Sequence, residues 1–122
     1  LEDGLDSHVE QGGGNFSGGQ RQRLAIARAL VKPADVYVFD DSFSALDFKT
    51  DANLRQALKQ NMTQSITVLV AQRVSTVMDA DTILVLDEGK LVGKGTHDEL
   101  LKTNETYQEI VHSQLREEDL HE

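Results

Sequence analysis

The chain holds 122 residues, 39% of them hydrophobic, which suits one ordinary globular unit with its own core. Its formal charge of −9, from 12 basic and 21 acidic residues, excludes a broad nucleic-acid-binding surface, because neutralising phosphates needs clustered Lys and Arg. There is no cysteine to form a disulfide or a thiolate metal site, and no apolar run approaches the roughly 20 residues of a bilayer span.

From Leu1 to Asn15 the sequence reads as a loop. It opens on the acidic LEDGLDSHVE, unlike a secretory signal, and ends in Gly12-Gly13-Gly14, which cannot hold a regular helix cheaply. A helix is expected from Gly18 to about Val31, stopping before Pro33. VYVF, Val36 to Phe39, is a β-branched and aromatic run suited to a strand buried on both faces. Asp47 is placed to cap a second helix running to about Lys59, with Leu54 and Leu58 at helical spacing. Ile66 to Ala71 gives another buried strand and Thr82 to Leu86 a third. Glu88-Gly89 then turns the chain into KLVGKG, a hairpin partner. Thr96 to Glu99 reads as a capping box opening a short helix, and a final helix covers about Glu105 to Leu115 before an acidic, solvated tail (Glu117, Glu118, Asp119, Glu122). Strands alternating with helices imply an α/β fold with a mainly parallel sheet and flanking helices.

Two stretches carry chemistry. In NFSGGQRQRLAIARAL, Ser17, Gly18 and Gly19 stand before the first helix, where unpaired backbone N–H groups and the absence of side chains suit a phosphate. Ser17 with Gln20 is equally a capping box, which would make the segment only a well-made helix start. In VYVFDD, Asp40 and Asp41 fall at the carboxyl end of a strand, where ligands of open α/β sheets bind and where carboxylates can hold magnesium. A plain surface turn is the alternative. A phosphoacceptor receiver domain also carries an acidic pair after an apolar strand, but too few strands follow here to complete one. His8, His97, His112 and His121 lack metal-ligand spacing.

Together these stretches resemble the nucleotide-binding domain of ATP-binding-cassette (ABC) transporters, of the exporter type. FSGGQ (Phe16 to Gln20) is similar to the signature motif, VYVFD ending in Asp40 to Walker B, SALD (Ser44 to Asp47) to the D-loop, and VAQRVST (Val70 to Thr76) to the switch segment. DADTILVLDEGKLVGKGTHDELL follows the family's C-terminal pattern. The resemblance implies part of a P-loop NTPase-like ABC ATPase domain. Its divisions would be a signature loop and helix over 1–33, a Walker B, D-loop and switch core over 34–103, and a C-terminal helix and acidic tail over 104–122.

The resemblance also implies ATP and Mg²⁺ as cofactors. Ser17, Gly18, Gly19 and Gln20 would bind the nucleotide held by a second nucleotide-binding domain, with the D-loop residues Ser44, Ala45, Leu46 and Asp47 beside them. Asp40 would serve the metal, and Asp41 and Gln72 would occupy the catalytic positions. Transmembrane coupling helices would be the other partner, met by the Val9 to Gly13 segment or by none of it, and the domain would lie on the cytoplasmic side of the membrane. No G-x-x-x-x-G-K-S/T phosphate loop occurs in the sequence. The chain therefore looks like the C-terminal half of the domain, expected not to turn over ATP alone.

Two positions depart from the family pattern. Asp41 stands where a glutamate usually polarises the attacking water, and Gln72 stands where a histidine is usual. Either change alone is compatible with a tolerated variant. Both fall on the site built around this chain's own Walker residues, while the signature and D-loop match, which points to the degenerate-site subunit of a heterodimeric exporter. The alternative is a nucleotide-dependent interaction module that does not hydrolyse ATP and has no membrane domain.

Overall fold

A computed structural model describes residues 3–120, with side chains described through 117. The side chains of Glu118 and Asp119, and all of His121 and Glu122, lie outside the described residues, so the acidic-tail expectation is left there. The backbone divides at Val70/Ala71 into two compact units.

In the first unit, helix α1 spans Gly18–Leu30, strand β1 Val36–Asp40, helix α2 Phe48–Asn61 and strand β2 Ile66–Val70. Strands β1 and β2 pair in parallel, Val36 opposite Ile66 through to Asp40 opposite Val70. Parallel partners put the same face of each strand on the same side. One face carries Tyr37, Phe39 and Leu69 onto a core of Ile26, Phe43, Leu46 and Leu58. Phe39 is its centre, edge-to-face with Phe43 and stacked beside Tyr37, and burying one such ring contributes about 1.5–3 kcal/mol. The Tyr37 hydroxyl ties down the α1–β1 connection, donating to the Lys32 carbonyl and accepting the Ala34 N–H.

The opposite face corrects the expectation of strands buried on both sides. Val36 (49%), Val38 (62%), Ile66 (64%), Val68 (42%) and Val70 (50%) are exposed. Composition reports that a strand's side chains suit burial; what covers each face is a separate matter, and among the described residues nothing covers this one. In α2, Asp51 is buried at 1% exposure and its Oδ1 accepts from Arg55 Nε at 2.6 Å, one turn on.

In the second unit, α3 spans Val74–Val77, β3 Ile83–Asp87, β4 Lys90–Gly95, α4 His97–Thr103 and α5 Glu105–Leu120. Strands β3 and β4 form the expected hairpin, antiparallel, with an irregularity between Val85 and Leu86. Its turn has positive φ at both Glu88 (48°) and Gly89 (76°), the backbone a two-residue type I′ turn requires. The third strand thus pairs antiparallel with its neighbour, and the parallel pairing described is that of β1 with β2.

The core of this unit is Ile83, Val85, Leu100 and Tyr107. Of the capping box expected at Thr96, one half forms: Thr96 Oγ1 accepts the Glu99 N–H. Asn104 fixes the start of α5 to β4, its Oδ1 accepting the Tyr107 N–H and its Nδ2 donating to the Val92 carbonyl. Tyr107, buried, hydrogen-bonds His97 Nδ1 at 2.6 Å with the rings edge-to-face.

Candidate functional site

The first residues of α1 are held by a complete capping box. Ser17 Oγ accepts the Gln20 N–H at 3.1 Å, and Gln20 Oε1 accepts the Ser17 N–H at 2.9 Å. The bland reading of SGGQ is therefore true of this backbone, and it leaves the phosphate reading open. In the first turn of a helix the N–H groups of Gly18 and Gly19 have no carbonyl one turn back to bind, so they remain aimed outward. Gln20 differs from its expected role in one respect: its side-chain oxygen is already engaged by the cap.

The two glycines have a second reason to be there. A β-carbon at Gly19 would stand 3.2 Å from the Ala45 carbonyl oxygen, and one at Gly18 would stand 3.3 Å from the Ala45 β-carbon. The Ser44–Asp47 segment lies directly against the start of α1. Ser17, Gly18, Gly19, Arg23, Ala45, Leu46, Asp47 and Thr50 together line an open depression of about 470 Å³. Two motifs about thirty residues apart in the sequence thus form one surface, to which Arg23 adds a positive charge and Thr50 a hydroxyl.

Within the Ser44–Asp47 segment the positions differ. Leu46 is buried in the first core and supplies packing more than a contact surface. Asp47 occupies the N-cap position of α2 with an extended backbone. The neighbouring Thr50 hydroxyl, and to a lesser degree the Thr50 backbone and the Arg23 charge, hold the Asp47 carboxyl below its ordinary value of 3.8.

Asp40 ends β1 with its side chain exposed, and Asp41 follows with φ of 53°. A left-handed backbone costs a residue other than glycine about 1–2 kcal/mol, so something must hold it. The Asp41 N–H donates to the Val70 carbonyl at 2.8 Å. Its carbonyl accepts from Gln22 Nε2 at 3.2 Å and from Ser44 Oγ at 3.3 Å. Three bonds at about 1 kcal/mol each offset the strain, and the Asp41 side chain is exposed.

Among the described residues no group of three or more His, Asp or Glu side chains could hold a metal ion. Magnesium is usually held by one or two carboxylates plus phosphate oxygens, so the Asp40–Asp41 pair still fits it.

Gln72 lies in the second unit, exposed, just before α3. Its backbone is held from α5: Gln114 Nε2 donates to the Gln72 carbonyl at 2.6 Å, and Gln114 Oε1 accepts the Val74 N–H at 2.8 Å. At the other end of the chain, the Val9–Gly13 segment contains a short 3₁₀ turn over Gln11–Gly13. Asn15 bridges it, accepting the Glu10 N–H and donating to the His8 carbonyl.

The family described as ABC transporter matches residues 1–44. An ABC transporter ATP-binding protein of Mycobacterium tuberculosis is 53% identical over 112 residues, covering 92% of this chain and 19% of the relative. An ATP-dependent lipid A-core flippase of Alcanivorax borkumensis is 46% identical over 118 residues, covering 97% of this chain and 20% of the relative. A solved structure of a bacterial Atm1-family ABC exporter with ATP bound superimposes with a TM-score of 0.90 at 40% identity, over 93% of this chain and 20% of that one. The chain has the fold of an ABC exporter nucleotide-binding domain. It spans about a fifth of the length of these relatives. In this ABC fold the depression joins the start of α1 to the Ser44–Asp47 segment, and the Asp40–Asp41 pair lies at the end of β1.

Three contributors escaped the sequence reading: Arg23, Thr50 and Gln22. Gln22 was legible in principle, since it follows Gly18 by four residues and so shares its helix face. Gln114 acts across 42 residues on Gln72, and no local pattern announces such a contact.

Proposed function

We propose that this chain is part of the ATP-hydrolysing motor of an ABC exporter. In the assembled protein Ser17, Gly18 and Gly19 meet the terminal phosphate of an ATP held chiefly by a second nucleotide-binding domain, with Ser44, Ala45 and Asp47 lying alongside. The observation that carries this reading is one depression lined by the start of α1, the Ser44–Asp47 segment and the Arg23 guanidinium. Such a helix start favours an anion through its unpaired donors and its dipole. The exporter and flippase descriptions of the relatives favour a motor over an interaction module without hydrolysis.

The chain's own ATP site is proposed to be degenerate, which makes the partner a different subunit. Asp40 would hold the magnesium ion, whose contribution is to neutralise charge on the phosphates. Asp41 has one methylene fewer than the usual glutamate, withdrawing its carboxylate by about 1.5 Å. General-base catalysis, worth about 10²–10⁴ in rate, tolerates such displacement poorly. Gln72 can donate an amide hydrogen bond but cannot carry charge or relay a proton. The domain would couple to transmembrane helices from the cytoplasmic side; among the described residues no helix is long and apolar enough to cross a membrane itself.

Ser17→Arg in the assembled transporter tests this directly. It should nearly abolish hydrolysis by filling the phosphate position while the fold persists. Unchanged turnover would mean that the motif is only a helix cap.

A further inference from the structure

Gln22 directs both donors and the acceptor oxygen of its side-chain amide toward one segment. Nε2 donates to the Asp41 carbonyl at 3.2 Å and to Ser44 Oγ at 2.9 Å, and Oε1 accepts the Ala45 N–H at 2.8 Å. Ser44 Oγ in turn donates to the Asp41 carbonyl at 3.3 Å, closing a small network around one peptide oxygen. The network spans two functional stretches. Asp41 belongs to the chain's own ATP site, with its strained backbone at φ 53°, whereas Ser44 and Ala45 belong to the surface offered to the partner's site. Gln22 itself rides on α1, one turn after Gly18, so it moves with the signature start.

We propose that Gln22 is a positioning residue that locks the signature helix, the D-loop and the Asp41 backbone into one rigid unit. It touches no nucleotide. It acts through the Asp41 and Ala45 peptide groups, fixing the D-loop against Gly18 and Gly19 and setting the direction of the Asp41 carboxylate. A change in how ATP seats against Ser17 is thereby transmitted to the chain's own Walker B end through three side-chain hydrogen bonds. A planar amide suits this role because it presents donors and an acceptor in fixed directions. The inference rests on the reading above, in which Ser17 serves ATP.

The test uses the full-length transporter in its assembled form, with steady-state ATPase kinetics and a thermal denaturation midpoint for each variant. Gln22→Met keeps the length and removes all three bonds; Gln22→Glu keeps the acceptor for the Ala45 N–H and removes both donors. The expected result is a fall in kcat of about tenfold or more for Gln22→Met, since displacement of about 1 Å in a catalytic arrangement can cost up to about 10²-fold. KM for ATP should change less than about threefold, and Gln22→Glu should fall between Met and the unaltered protein.

Ser17→Arg in the same preparation separates the two ideas. If it blocks hydrolysis while both Gln22 variants keep kcat within twofold, the positioning role is overturned and the reading of the site stands. If Ser17→Arg itself leaves hydrolysis unchanged, both fall. If Gln22→Met does not assemble, Gln22→Glu carries the test alone. A rise in KM with kcat unchanged would also overturn the proposal, because it would place Gln22 in nucleotide binding.

Discussion

Ser17 caps α1 and is proposed to meet a phosphate, two roles that one substitution pair can pull apart. As an N-cap its hydroxyl accepts the Gln20 N–H at 3.1 Å, and replacing such a cap by alanine costs about 1 kcal/mol, within a range of about 0.5–2. Aspartate caps a helix about as well as serine, so Ser17→Asp should retain the stability that Ser17→Ala loses. Toward a phosphate the order reverses. A carboxylate about 4 Å from one phosphate charge, at an effective dielectric near 20, is repelled by about 4 kcal/mol, which is about a thousandfold in affinity at about 1.4 kcal/mol per decade. Alanine loses only one hydrogen bond of about 1 kcal/mol. Urea denaturation should rank Asp with Ser and above Ala, whereas ATP turnover of the assembled transporter should rank Ser above Ala and far above Asp. If Ser17→Asp turns over ATP as well as Ser17→Ala does, no phosphate approaches this helix start.

The signature glycines give a graded prediction. Gly19→Ala should reduce turnover more than Gly18→Ala, because its β-carbon meets the Ala45 backbone oxygen while that of Gly18 meets only the Ala45 methyl; adding Ala45→Gly should rescue Gly18→Ala and leave Gly19→Ala impaired, and the reverse order would show that the contact is unimportant. In the second unit, burial raises the Tyr107 phenol above its ordinary 10.0, so its stabilising contribution is fully present below pH 10.0 and is lost as pH rises through the folded value. Tyr107→Phe should lower the neutral-pH denaturation midpoint by the equivalent of about 1 kcal/mol, the worth of its bond to His97, and should abolish that alkaline loss; an unchanged alkaline limb would assign it to other groups.

Much of the fold was legible because local chemistry and tertiary structure agree. Ser17 with Gln20, the Glu88-Gly89 turn and the stop before Pro33 each act over a few residues, and each lies where its sequence placed it. The strands were found but their environment was not. Val36, Val38, Ile66, Val68 and Val70 are apolar on the uncovered face of β1 and β2, and a sequence states a side chain's preference without stating its neighbour. The site followed the same division. SGGQ and SALD could be read separately, but that Gly19 needs no side chain because Ala45 lies against it is a fact of packing. Asp41 gave no sign of its left-handed backbone, since the bonds that hold it come from Val70, Gln22 and Ser44.

Single-turnover hydrolysis in the assembled exporter, with the partner subunit's own catalytic glutamate position inactivated, tests the division of labour most directly. The account predicts that ATP bound at the Asp40–Asp41 site is retained with little hydrolysis. Asp41→Asn should change this little, and Asp41→Glu with Gln72→His should raise the rate. Hydrolysis there by the unaltered chain at a rate near that of the intact transporter would contradict the account and make Asp41 an effective base.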